Sequence, residues 1–389
     1  MSEPVHHDSH APLLARLRPG RLPLGGIVTP ATRDAESVLN SVVLGAQLDV
    51  PVVLLCSKQA RPKEIAQRAA LVRGAACAVI DLTRPFRRDR LPRLRTDRIS
   101  QATFGAYGDL SLKRNLGLLL ARLADWPTLL FLDDDISGLS ATQVRRAVGA
   151  LEHHTAAGMP ATDFPDNSVV CHARRFAGAQ QDVFVSGSAL AVNVQAAESF
   201  FPQVYNEDWL FLAPHLDRRE VVAHGKVRQA YFNPFDSPRR AMRQEFGDVL
   251  AEGLVGHLHG GTLDEAPSIG YWQAFLDSRS ELIAVAVEAY RRQARYNPVA
   301  RDALCSLRRA ESTRIALRPG DLAQYVKAWL ADLEVWRRHL TKVPALGTVE
   351  GALEFVSCSA LAVNVQRAES FLPQIYNEDG LFLAPHLPR

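Results

Sequence analysis

Residues 128–135 read Thr128-Leu129-Leu130-Phe131-Leu132-Asp133-Asp134-Asp135. The apolar run has the length of one fully buried strand of a parallel sheet. Ligands of open α/β sheets lie in the crevice outside the carboxyl ends of the strands. The sequence therefore delivers up to three carboxylates to a ligand's position. Crowded carboxylates repel one another. A divalent cation relieves that repulsion, and oxygen ligands suit Mg²⁺ or Mn²⁺, which in turn hold phosphates. A single Asp after a strand would be an ordinary helix cap; three in succession favour the metal–phosphate reading.

Working upstream, Ser111 to Ala124 carries Leu112, Leu116, Leu119, Leu120 and Leu123 at helical spacing. Asp109 or Ser111 is placed to cap this helix. Lys113, Arg114 and Asn115 fall in its first turn, where a helix N-terminus offers a phosphate or base contact. The alternative is that the two cations are surface charges. Further upstream the chain alternates. Gly25 to Pro30 reads as a strand and its exit, and Asp34 to Gln47 as a helix. Pro51 to Cys56 is a strand, Pro62 to Arg73 a helix opened by proline, and Ala76 to Leu82 a strand. This alternation predicts a parallel, doubly wound sheet.

Downstream, Asp182 to Val194 reads as two strands about a bend at Ser186-Gly187-Ser188, where Gly187 would let backbone approach a ligand. Tyr205-Asn206-Glu207-Asp208-Trp209 places two carboxylates ahead of an apolar helical segment, a second acidic site or a helix-start cap. His257 and His259 stand in a Gly- and His-rich stretch that reads as a loop and could supply one metal ligand. Residues 278–340 read as helices, a helical appendage spanning 276–345.

The net charge of +3 is too small to argue for nucleic acid, although Arg84 to Arg98 is a basic stretch, read as a solvated loop. Five cysteines show neither CxxC nor zinc spacing; Cys56 and Cys77 read as small core residues. No apolar run reaches the length of a membrane span, and the N-terminus lacks the pattern of a secretory signal. A cytoplasmic setting follows. Residues 1–21, with His6, His7 and His10, are expected to be a disordered tail.

Residues 185–216 recur, with five differences, as residues 356–387. The second copy has Cys358 for Gly187 and Gly380 for Trp209, and it has no Asp-ended strand upstream. A fragment of this size cannot bury a core of its own. Residues 346–389 are thus expected to be a partial duplication with Glu378 and Asp379 non-catalytic.

The order of these features resembles the nucleotide-sugar glycosyltransferases of the GT-A fold, in particular the large inverting family 2. The resemblance spans roughly residues 22–260. It rests on the Thr29-Pro30 turn, Lys113-Arg114-Asn115, Asp133-Asp134-Asp135 and Asn206-Glu207-Asp208-Trp209. It implies a mixed, Rossmann-like sheet over a 22–275 catalytic domain. It also implies Mn²⁺ or Mg²⁺ on Asp133 and Asp135, and a nucleotide-sugar donor held by Thr29, Pro30, Arg114, Asn115, Asp133, Asp134 and Gly187. Asp208 would be the general base that takes the acceptor hydroxyl proton, with Glu207 supporting it and Trp209 stacking on the acceptor. The chain departs from the family after the second strand, where Cys56-Ser57-Lys58-Gln59 replaces the usual acidic residues. The motif of processive members is not evident, so a non-processive transferase is implied. Rival readings are a haloacid-dehalogenase-type phosphatase with Asp133 as nucleophile, a sugar-nucleotide pyrophosphorylase, and a non-catalytic binding or scaffold protein.

Overall fold

The computed structural model describes residues 9–83, 90–104, 108–163, 168–176, 183–356 and 360–364. The chain opens with β1 (Gly26–Ala31), α1 (Leu39–Leu48), β2 (Val52–Cys56), α2 (Pro62–Ala69) and β3 (Ala76–Asp81). α3 (Arg95–Phe104) and α4 (Leu110–Leu123) lead into β4 (Thr128–Leu132). Then come β5 (Ile136–Ser137), α5 (Ala141–Gly149), β6 (Ala156–Gly158), α6 (Val169–Phe176) and β7 (Ala189–Asn193). α7 (Glu207–Asp217), β8 (Val221–Ala223) and β9 (Arg228–Gln229) complete the sheet region. α8 (Pro238–Leu258), α9 (Ile269–Gln293), α10 (Pro298–Ala316) and α11 (Pro319–Leu340) form a helical region, followed by α12 (Val349–Val356) and β10 (Ala360–Asn364).

The sheet runs in the order β10-β3-β2-β1-β4-β7-β6-β8. β1 pairs in parallel with β2 and with β4, in register Val28 to Val53 and Gly26 to Leu129. β7 is antiparallel to β4 and to β6. β1 through β4 are largely apolar because both faces of the sheet are covered. Val28, Val53, Ile80 and Phe131 pack toward the leucines of α4 and toward α7, α8 and α11. Ile27, Leu54, Val79 and Leu130, which point the opposite way, pack toward α1, α2 and α5. This is the α/β mixed sheet with a C-terminal helical region that the sequence predicts. The chain winds outward from β1 to β3 and returns to β4 on the other side of β1. The strand order therefore reverses between β1 and β4, where a crevice opens at the strands' carboxyl ends.

Several expectations are corrected. Residues 9–21 are no free tail: His10 is fully buried and Leu13 belongs to the core, though residues 1–8, with His6 and His7, lie outside the described residues. β1 runs through Thr29 and Pro30 to Ala31, so these two are strand interior rather than an exit turn. Among the described residues up to Val194, from Val183 onward, one strand forms, β7. The stretch around His257 is the end of a 21-residue helix, α8, rather than a loop. The later part of the basic stretch forms α3, tied down where Thr96 donates from its backbone and hydroxyl to Asp332 on α11, each at 2.8 Å. The helical region begins at α8, inside the stretch assigned to the catalytic domain. Of the C-terminal copy, residues 360–364 pair antiparallel with β3 at the sheet's edge. Cys358, Glu378, Asp379 and Gly380 lie outside the described residues.

Candidate active site

The site is assembled around Arg114. α4 is apolar where it crosses the sheet, yet its first turns bury Lys113, Arg114 and Asn115. Arg114 reaches back toward the end of β4, and its Nη2 donates to both oxygens of Asp133 at 3.0 and 3.2 Å. Its Nη1 donates to Glu207 and lies 3.9 Å from Asp208. One cation thus serves three carboxylates, drawn from the end of β4 and the start of α7. Asp208 is held by backbone: its Oδ2 accepts the Gly187 N–H at 2.6 Å and its Oδ1 the Trp209 N–H at 3.0 Å. A side chain at position 187 would have to displace Arg114, since a Cβ there would stand 2.4 Å from the Arg114 guanidinium carbon.

Burial, with Asp135 and Asp134 adding to it, pushes Asp133 up to about 6 against the pull of Arg114. Burial also raises Glu207, again opposed by Arg114 and aided by neighbouring Asp208. The carboxylates outnumber the cation, so the cluster retains the capacity to accept a proton. Asp133 and Asp208 keep an opening to the crevice, with 20% and 11% of their side chains exposed, whereas Arg114 keeps 3%.

The remaining aspartates face the other wall. Asp134 turns toward the loop after β1, where its Oδ2 accepts the backbone N–H groups of Thr32 at 2.6 Å and Arg33 at 3.0 Å. The Arg33 side chain pairs with Asp134 and lies 3.1 Å from Asp135. Asp135 also accepts from Gln229 of β9 at 3.2 Å. Thr32, Arg33 and Gln229 were missed by the sequence reading. The available signal was a cation two residues beyond the strand that neighbours β4.

The other expected residues are placed differently. Asn115 is engaged with the Phe201 backbone, donating and accepting at 2.8 Å. Lys113 donates to the Ala31 carbonyl at 2.8 Å and the Ser57 hydroxyl at 2.6 Å, bracing the ends of β1 and β2. Thr29 is wholly buried in the sheet. Trp209 is packed between His10 and Phe184, with ring centroids 4.4 and 5.1 Å apart, so it presents no open face to an acceptor sugar. His257 contacts the Thr262 carbonyl at 3.0 Å and His259 the Ser9 carbonyl at 2.9 Å. Both histidines are tied to their own surroundings.

Among the described residues, no three His, Cys, Asp or Glu side chains converge as a ready metal cage. Asp133 and Asp135 nevertheless fit Mn²⁺ or Mg²⁺. They are hard oxygen donors at the end of one strand, and Mg²⁺ is commonly held by one or two carboxylates completed by substrate phosphates and water.

No protein-family model and no curated protein matches the chain. Solved structures are similar to the chain, among them the mannosyltransferase PcManGT from Pyrobaculum calidifontis in complex with GDP-Man and Mn²⁺. The two chains share 14% identity over 84% of this chain and 92% of that one, with a TM-score of 0.44. Among the described residues no helix is long and apolar enough to cross a membrane.

Proposed function

We propose that this protein is a metal-dependent glycosyltransferase that moves a sugar, with inversion, from a nucleotide-sugar donor to an acceptor hydroxyl. One observation carries the reading: Arg114 draws Asp133, at the end of β4, together with Glu207 and Asp208, at the start of α7, beside the crevice where the strand order reverses. Asp133 and Asp135 would hold Mn²⁺ or Mg²⁺; when bound, the ion neutralises charge developing on a nucleoside diphosphate leaving group.

Asp208 is the general base. Backbone donors orient both of its oxygens, and it stands farthest of the three carboxylates from the Arg114 charge. It takes the acceptor's hydroxyl proton as that oxygen bonds to the anomeric carbon and the diphosphate departs with the electron pair. Glu207 and Arg114 hold the start of α7 against β4, and Gly187 aims its N–H at the base.

The test is incubation with a panel of nucleotide sugars and Mn²⁺, with water or simple sugars as acceptors, following nucleoside diphosphate release. Consumption of one donor is expected, with Asp208→Asn lowering turnover roughly 10²-fold or more. Hydrolysis of a phosphomonoester that depends on Asp133, with every nucleotide sugar untouched, would overturn the assignment.

A further inference from the structure

Crowding at Asp133, Asp134 and Asp135 calls for positive charge, and the protein supplies part of it from two arginines of opposite character. Arg114 is 3% exposed and fixed by its partners. Arg33, in the loop after β1, is 47% exposed. The loop itself does not depend on that side chain. Asp134 grips it through the N–H groups of Thr32 and Arg33 and through the Thr32 hydroxyl, at 2.6, 3.0 and 3.4 Å. The Arg33 side chain pairs with Asp134 and is also the charge partner of Asp135, at 3.1 Å. Gln229 binds the same Asp135 oxygen at 3.2 Å and would keep that carboxylate oriented without Arg33.

We propose that Arg33 is an exchangeable internal cation. It covers Asp135 in the metal-free protein and leaves when a divalent ion arrives with its diphosphate. This rests on the reading of Asp133 and Asp135 as the metal carboxylates. Backbone anchoring means the exchange moves one side chain and leaves the loop in place. The departing guanidinium, already half in water, is free to meet the diphosphate oxygens, for which its planar fork is suited. Arg33 thereby sets the metal affinity of the empty site and makes tight metal binding conditional on the diphosphate.

The experiment is a calorimetric titration of the full chain with MnCl₂ alone, and again with a saturating nucleoside diphosphate. It compares wild type, Arg33→Ala, Arg33→Lys and the double variant Arg33→Ala/Asp135→Asn, with circular dichroism and melting curves as the check of folding. Without nucleotide, Arg33→Ala should bind Mn²⁺ about fivefold more tightly, the scale of a half-exposed ion pair. Arg33→Lys should stay near wild type, and the double variant should lose the gain. An Arg33→Ala protein that binds Mn²⁺ no more tightly overturns the role of Arg33 while leaving the transferase reading intact. So does a gain that survives Asp135→Asn. Failure of wild type and Arg33→Ala to bind Mn²⁺ even with a diphosphate overturns the metal reading and this proposal together, whereas a diphosphate that binds without Mn²⁺ would leave a metal-independent transferase standing.

Discussion

Two buried arginines in this protein each face three carboxylates, and only one of the clusters is a candidate site. Arg279 of α9 meets Glu245, Asp248 and Glu252, all from α8. The arginine is 0% exposed and each partner 1%. Arg114 meets Asp133 from β4 and Glu207 and Asp208 from α7, and two of these keep an opening to the crevice. The residue types are nearly the same, so composition does not distinguish them. What does is origin and access: one cluster ties two neighbouring helices together in the dark, and the other joins separate elements at the end of a sheet. They are also connected, because Asn206, just ahead of Glu207, donates to Asp248 at 2.8 Å. The closed cluster steadies the helix start that carries the open one.

The largest effect should come from the closed cluster. Arg279→Met removes the cation that Glu245, Asp248 and Glu252 share and should cost about 3–5 kcal/mol of stability, read by urea denaturation. A loss below about 1 kcal/mol would erase the contrast. Arg114→Met should reverse the balance. Its stability loss is smaller, about 1–3 kcal/mol, because Asp133 and Asp208 keep an opening through which water can reach them. Transfer should fall roughly 10²-fold, since the base and the β4 carboxylate lose their common tether.

Gly187→Cys installs the residue that the second copy carries as Cys358. Its Cβ collides with Arg114, so a loss of about 1–3 kcal/mol is expected, together with reduced turnover. Unchanged turnover would mean that Arg114 needs no fixed position.

The smallest effect concerns pH and the N-terminal segment beneath Trp209. Burial, aided by His259, holds His10 down to about 3, from 6.5. The unfolded chain therefore takes up this proton at a higher pH than the folded one. The stability contributed by neutral His10 is complete above pH 6.5 and drains away as pH falls toward 3. Between pH 7 and 5 the melting temperature of wild type should fall more steeply than that of His10→Phe. Parallel curves would show that His10 titrates freely.

The parallel strands were legible because burial on both faces writes them as unbroken apolar runs, and Thr128–Leu132 came out to the residue. Pro30 misled, since proline usually marks an exit. Here it sits within β1, aligned with Leu55 of β2. α8 was hidden for a physical reason. Its buried surface carries Glu245, Asp248 and Glu252, which meet Arg279 from another helix. It also carries Gly247 where the helix passes the Tyr205 backbone too closely for a Cβ, 2.2 Å from the carbonyl oxygen. No local pattern announces either partner.

At the site, the acidic residues were legible and their neutralisation was not. Arg114 was identified by its position at a helix start, but it points inward at carboxylates rather than outward at phosphate. Arg33 acts on aspartates about a hundred residues away. The duplication is instructive here too. The five-residue sequence of β7 recurs as β10, and both form antiparallel strands, one inside the sheet and one at its edge. Three of the five positions where the copies differ are Gly187, Phe201 and Trp209. In the first copy these meet Arg114, Asn115 and His10. The strand-forming part of the segment is repeated unchanged, and so are Glu207 and Asp208, as Glu378 and Asp379; what differs includes neighbours that pack around them.

The most direct test is calorimetric titration of wild type, Asp135→Ala and Asp208→Asn with a panel of nucleoside diphosphates, with and without Mn²⁺. The account predicts Mn²⁺-dependent binding of one diphosphate by wild type, its loss in Asp135→Ala, and near-unchanged affinity in Asp208→Asn, whose defect belongs to transfer. Diphosphate binding by Asp135→Ala equal to wild type, or binding lost equally in both variants, would contradict it.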